Sequence, residues 1–153
     1  MLGDDHPQTL VSVNNSPAPT NRPGTWSGRF PLYEQALADR RRVLGDDHPD
    51  TLASVNNLAG AYESAGDLAR AVPLYEQALA GCRRVLGDDH PDTLASVNNL
   101  AGAYRAVGDL ARAVPLYEQA LAGCRRVLGD DHPQTRIVRG NAAAVATHPL
   151  GEP

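Results

Sequence analysis

Apolar and small residues return along this chain at helical spacing, in blocks that themselves repeat. Leu52, Val55, Ala59 and Tyr62 fall on one face of a 3.6-residue helix, and Leu68, Ala71, Tyr75, Ala78, Cys82 and Val85 on one face of a second. The string LGDDHP begins at Leu2, Leu44, Leu86 and Leu128, a period of 42 residues, and residues 44–85 and 86–127 are nearly identical. Self-similarity of that length marks an array in which one unit buries its apolar side only against its neighbours. The pattern predicts an all-α, helix-hairpin repeat solenoid with two intact repeats and partial flanking units.

The polar punctuation agrees. Gly66 is placed to end the first helix of a unit and Asp67 to cap the second, since glycine tolerates a left-handed exit and a carboxylate accepts free amides. In GDDHPDT, His48 or Asp47 can cap, Pro49 fits the first turn, and Asp50 faces the positive helix end. Pro73 falls inside the second helix, where a bend or an irregular first turn is expected.

One block breaks the pattern. Residues 16–30 read SPAPTNRPGTWSGRF where later copies read LAGAYESAGDLARAV and LAGAYRAVGDLARAV. A string differing from the second copy only in Glu for Ala69 can be encoded so that dropping its first base yields all of 16–30. Residues 16–30 therefore read as an out-of-frame copy, and one added base near Pro31 restores the frame. Ser16, Pro17, Thr20 and Arg29 then occupy core positions, and three prolines oppose a helix. The expected organisation is a degenerate, irregular first repeat over 1–30 and its second helix over 31–43, from about Leu32 to Val43. Intact repeats follow at 44–85 and 86–127, then a loop and capping helix over 128–147, from about Gln134 to Thr147, and a disordered tail at 148–153. Because the chain opens inside an inter-repeat loop, it reads as a piece of a longer array or a truncated frame.

Composition narrows the function classes. The 153 residues are 42% hydrophobic and 21% charged with a net charge of -4, which fits a soluble chain and disfavours phosphate-backbone binding. Arginine clusters such as Arg40, Arg41 and Arg42 are the feature that keeps nucleic acid in view. All 14 basic residues are Arg, a bias of GC-rich genomes. With no run of about 18 apolar residues and no apolar leader, no membrane partner is expected, and the default location is cytoplasmic.

Chemistry is sparse. His6, His48, His90 and His132 recur beside paired aspartates, but successive loops lie farther apart than one ion can bridge, because neighbouring helices pack about 8–10 Å apart. They read as helix-start residues, and His148 in the polar tail carries no signal. Cys82 and Cys124 lie on apolar stripes one repeat apart, without a CxxC companion, and read as buried small side chains rather than a disulfide. Trp26 lies inside the broken block and reads as accidental. No phosphate loop appears and no carboxylates converge as an acid and base pair, so neither an enzyme, a cofactor nor a metal is expected.

Val55, Leu58, Ala59, Tyr62, Gly66, Ala71, Tyr75 and Ala78 resemble the tetratricopeptide repeat signature, as do Val97, Leu100, Ala101, Tyr104, Gly108, Ala113, Tyr117 and Ala120. The 42-residue period, HPDTLASVNNLAGAY and AVPLYEQAL resemble the kinesin light chain type, a variant also common in bacterial proteins such as the sensor arrays of signalling ATPases. The resemblance implies that each first helix lines a concave groove, here with Ala53, Asn56, Asn57, Gly60, Glu63 and Ser64, then Ala95, Asn98, Asn99, Gly102, Arg105 and Ala106. It further implies peptide contact by Asn56, Asn57, Asn98 and Asn99. An asparagine donates and accepts, so a ladder of them can hold an extended backbone. Alternatively, one asparagine of each pair only ties adjacent helices together. The groove lacks the lysines of carboxylate-clamping relatives, and Arg105 stands where the preceding repeat has Glu63, favouring an acidic or mixed-charge peptide. The reading is a protein-protein interaction module binding an extended peptide, within a larger signalling or scaffold protein. A structural spacer that self-associates through exposed ends, or a nonfunctional remnant, are the alternatives.

Overall fold

The computed structural model describes residues 25–146, with side chains from Phe30 onward, and it is all-α over that span. The degenerate segment before Thr25, the tail from Thr147, and the side chains of His6, Trp26 and His148 lie outside the described residues. Six helices follow one another: α1 Thr25–Leu44, α2 Pro49–Ser64, α3 Leu68–Leu86, α4 Pro91–Val107, α5 Leu110–Val127 and α6 Pro133–Ala146. They form two compact units, the first ending at Gly81 and the second starting at Cys82, so the division falls within α3.

Each joint is closed by the residues that the pattern marks. Pro49, Pro91 and Pro133 open their helices, where a missing N–H costs nothing. Of the two residues able to cap α2, the histidine does so: His48 Nδ1 accepts from the Asp50 amide at 3.1 Å. His90 and His132 repeat the bond to Asp92 and Gln134 at 3.0 and 3.1 Å. Asp67 and Asp109 accept the amides of Arg70 and Arg112, both at 3.2 Å, at the starts of α3 and α5. Between the helices of each hairpin Gly66 and Gly108 take the left-handed conformation, with φ of 86° and 88°.

In the first unit α2 turns Leu52, Val55, Leu58, Ala59 and Tyr62 inward against Ala71, Tyr75 and Ala78 of α3 and against Tyr33, Ala36 and Leu37 of α1. The second unit repeats this with Leu94, Val97, Leu100, Ala101 and Tyr104 of α4 and Ala113, Tyr117, Ala120 and Cys124 of α5, and adds Val138 and Val145 of α6. The two helices of a hairpin come close where the second carries glycine. A Cβ on Gly81 would stand 2.4 Å from a methyl of Leu52, and one on Gly123 the same distance from a methyl of Leu94.

One expectation needs correction. The helix expected over 31–43 starts earlier, so that part of the broken block, Thr25–Phe30, is helical. Thr25 occupies the place of the capping Asp67, and the new sequence from there to Pro31 contains one glycine and no proline, so it retains enough helix propensity to extend α1 backward. Pro31, Pro73 and Pro115 all lie inside continuous helices at the same repeat position. Buried Ala71 and Tyr75 flank Pro73, buried Ala113 and Tyr117 flank Pro115, and buried Tyr33 follows Pro31, so packing holds these helices through the lost bond.

The arginine run also divides. Arg41 and Arg42 are exposed, but Arg40 is fully buried. Its Nη1 donates to the Asp50 carbonyl at 2.8 Å and to Ser54 Oγ at 2.5 Å. Arg41, Arg83 and Arg125 each pair with an aspartate of the following loop at 3.3–3.4 Å. These exposed pairs add little stability.

Candidate functional site

The polar face of α2 is what its core leaves over. With Leu52, Val55, Leu58 and Tyr62 turned inward, Asn56, Asn57, Gly60 and Glu63 are half-buried, and Ala53 and Ser64 are exposed. Glu63 is anchored from beneath: the Tyr75 hydroxyl donates to its Oε1 at 2.8 Å. Burial first, and the Glu63 carboxylate second, push the Tyr75 phenol up from its ordinary range. Gly60 lies beside this bond, where a Cβ would make only an ordinary contact with the Tyr75 hydroxyl, at 3.4 Å. Tyr62 has its own acceptor, Glu34 Oε2 of α1 at 3.1 Å, and stacks on Phe30 with ring centroids 4.8 Å apart. Arg70 lies over the Tyr62 ring at 5.6 Å.

The α4 face of the second unit has the same plan with one change of sign. Ala95, Asn98, Asn99 and Gly102 are half-buried, and Arg105 and Ala106 are exposed. Where Glu63 accepts from a tyrosine, Arg105 extends into solvent. Asn98 Oδ1 accepts from Asn141 Nδ2 of α6 at 3.1 Å, which ties the two helices side by side. Helix-tying, the alternative role for one asparagine of a pair, is therefore what Asn98 performs. Gln134 Nε2 adds a second tie, to the Pro91 carbonyl at 2.9 Å.

Asn141 escaped the reading of the sequence, although the signal was present. It lies one period after Asn99 in RGNAAAVA, but the surrounding residues have drifted so far from VNNLAGAY that the asparagine looks isolated.

Each face thus offers amide donors and acceptors among small side chains, with a carboxylate in the first unit and a guanidinium in the second. Among the described residues no three of His, Cys, Asp and Glu gather to hold a metal. Cys82 and Cys124 are free and buried, and burial raises both thiols above their ordinary range. The Ser96 hydroxyl, 3.6 Å from the Cys82 sulfur, opposes that shift in part. Among the described residues no helix is long and apolar enough to cross a membrane.

Comparison with known proteins gives a consistent result. A family model described as tetratricopeptide repeat matches residues 30–83, 53–125 and 94–148. Among solved structures, the chain is similar to a Podosopora anserina protein taken for a kinesin light chain, with nearly identical TPR-like repeats. The TM-score is 0.80 at 34% identity, covering 92% of this chain and 66% of that one. A single-substitution variant of that protein gives the same values. BtubC (BKLC) from P. vanneervenii shares the fold, with a TM-score of 0.73 at 23% identity over 84% of this chain and 50% of that one. Among curated protein sequences none matches. Repeats of this kind are in general protein-interaction modules and typically serve as non-enzymatic scaffolds.

Proposed function

Because the chain belongs to the tetratricopeptide repeat family, we propose that it is a non-enzymatic interaction module whose first-helix faces bind an extended segment of a protein partner, as part of a signalling or scaffold assembly. The observation that supports this is the exposure pattern. Along the face itself the large apolar residues from Leu52 to Tyr62 and from Leu94 to Tyr104 are buried, and Val107 at the last position of α4 is exposed; the accessible face positions are asparagines, glycines, alanines, Ser64, and Glu63 or Arg105. Small residues admit a backbone and asparagines bond to it, so such a face holds an extended chain with little demand on its side chains. Asn57 and Asn99 serve as direct contacts. Asn56 and Asn98 contribute to the same faces, Asn98 with one acceptor site already committed to Asn141. Glu63 and Arg105 set the charge that each face prefers, and Arg105 selects an acidic residue.

The test is selection of a random 12-residue peptide library on the whole chain, followed by titration of the selected peptides. Asn57→Ala and Asn99→Ala are expected to weaken binding about 5- to 30-fold, the effect of one or two lost hydrogen bonds, with melting temperature unchanged. Arg105→Glu is expected to reverse the preference for acidic peptides. Unchanged affinity in both asparagine variants removes the proposal.

A further inference from the structure

At the end of the second unit α5 and α6 leave between them a groove of about 380 Å³. Its walls are apolar, with Val114 and Leu121 from α5 and Ala142 and Val145 from α6, and it carries two charged residues, Glu118 and Arg139. The repeat explains why it is open. In α2 and α4 the matching positions, Val55, Leu58 and Ala59, then Val97, Leu100 and Ala101, are buried to 5% exposure or less within complete hairpins. On α6 the counterparts Arg139 and Ala142 are half-buried, and Ala143 is exposed.

The charges of the groove are explained by register as well. In the first unit Glu34 of α1 accepts from Tyr62 of α2 at 3.1 Å. Two periods later the same positions hold Glu118 and Ala146, so the carboxylate stays while its phenol is replaced by a methyl group. Glu118 thus stands at the Ala146 end of an apolar groove. Glu118 is exposed, and an occupant that covered it would have to supply a hydrogen-bond donor in place of water. The basic groups lie toward the other end of α6. Arg139 is seven residues before Ala146, about 10 Å along the helix, and Arg136 is nearly one turn further. Arg136 is exposed where Leu52 and Leu94 face the hairpin glycines.

We propose that a second copy of this chain fills the groove, forming a two-fold homodimer through α5 and α6. A two-fold axis across α6 sets the two α6 helices antiparallel and makes the contact self-complementary. The acid end of one groove then lies on the basic end of the other. Glu118 meets the partner's Arg139, and the reciprocal pair forms on the far side of the axis. Arg139 already donates to the Asp130 carbonyl at 3.0 Å and lies 3.7 Å from its carboxylate, which holds the guanidinium in place with donors to spare. Between the charge pairs the small side chains of Ala142 and Ala143 allow the helices close approach. A face of two short helices belongs at the small end of specific interfaces, so the dimer is weak and reversible. This inference is independent of peptide binding on α2 and α4.

Sedimentation velocity of the whole chain over the micromolar range tests it. The sedimentation coefficient is expected to rise with concentration. Glu118→Arg and Arg139→Glu each set like charges together twice and are expected to weaken self-association at least about tenfold. Mixed one to one, these variants regain both pairs and are expected to associate as a heterodimer. Ala143→Arg, at an exposed position that leaves Asp130 untouched, is expected to block association while far-ultraviolet circular dichroism stays unchanged. A wild-type chain that remains monomeric, as it would with the groove covered by its own C-terminal residues, overturns the proposal. So do single variants that associate like wild type, or a mixture that fails to associate.

Discussion

Arg40 stands in α1 where α3 and α5 have Cys82 and Cys124. Burial works against its charge and lowers its pKa, while the Asp50 carboxylate opposes that shift, and the guanidinium bonds to the Asp50 carbonyl and Ser54 Oγ. Truncation would remove two charged hydrogen bonds and leave a cavity, while Ser54 Oγ would still donate to the Asp50 carbonyl at 3.2 Å. Arg40→Ala is therefore expected to cost about 3 kcal/mol, read as a lower midpoint in urea denaturation with an unchanged slope. The buried acids give a second expectation. Cys82, Cys124 and Tyr75 all have raised pKa values in the fold. Above about pH 8.5 the unfolded chain releases these protons first, so the folded chain binds more of them and stability must fall as pH rises. Melting temperatures from pH 7 to 11 should decline from about pH 9, and the decline should shrink when both cysteines are replaced by alanine. Thiol reagents should label neither cysteine at pH 8 until the chain is unfolded.

At the scale of the helix, glycine has opposite consequences according to what faces it. A Cβ on Gly123 meets Leu94, itself 2% exposed, at 2.4 Å, whereas one on Gly140 of α6 meets nothing within 4 Å. Gly123→Val is expected to destabilise by about 2 kcal/mol through overpacking, and Gly140→Ala to stabilise by up to about 1 kcal/mol through helix propensity. Thermal melts of the two variants check both signs. Helices α2–α5, their caps and most of their cores were readable because the 42-residue period shows each position twice, although Val85, placed on the apolar face of α3, is exposed; the final helix was placed within a residue at each end. The burial of Arg40 was legible only through register: it aligns with Cys82 and Cys124 on the apolar stripe, whereas Arg41 and Arg42 align with arginines, but within its own run of three it looks like its exposed neighbours. The start of α1 was misplaced because prolines in 16–30 weighed against a helix everywhere in the block, although the last of them before α1 is Pro23. The polar faces of α2 and α4 were readable as whatever the apolar stripe excluded. The tie from Asn98 to Asn141 was not, because it joins a regular repeat to a diverged one.

For the whole molecule, the broken block sets the terms. In a repeat array, stability sums each unit and its contacts with neighbours, so a unit whose sequence lacks apolar residues at core positions is expected to lower the total by more than its own residues would suggest. Here the positions that carry Leu58, Ala59, Tyr62 and Ala71 in the next repeat are Ser16, Pro17, Thr20 and Arg29. Replacing residues 16–30 by LAGAYESAGDLARAV would restore those apolar groups in register, ahead of an α1 that is already helical. The repaired chain is expected to gain helical ellipticity at 222 nm and to melt at least about 5 °C higher, corresponding to one to three kcal/mol for a chain of this size. The same replacement should leave self-association through α5 and α6 unchanged, since that face lies in the other unit. A repaired chain with no added ellipticity would show that the block no longer limits the fold, and the out-of-frame reading would then have no physical consequence. The gene supplies an independent check: codons for 16–30 that cannot be re-read one base out of frame as a repeat would refute the history while leaving the stability argument intact.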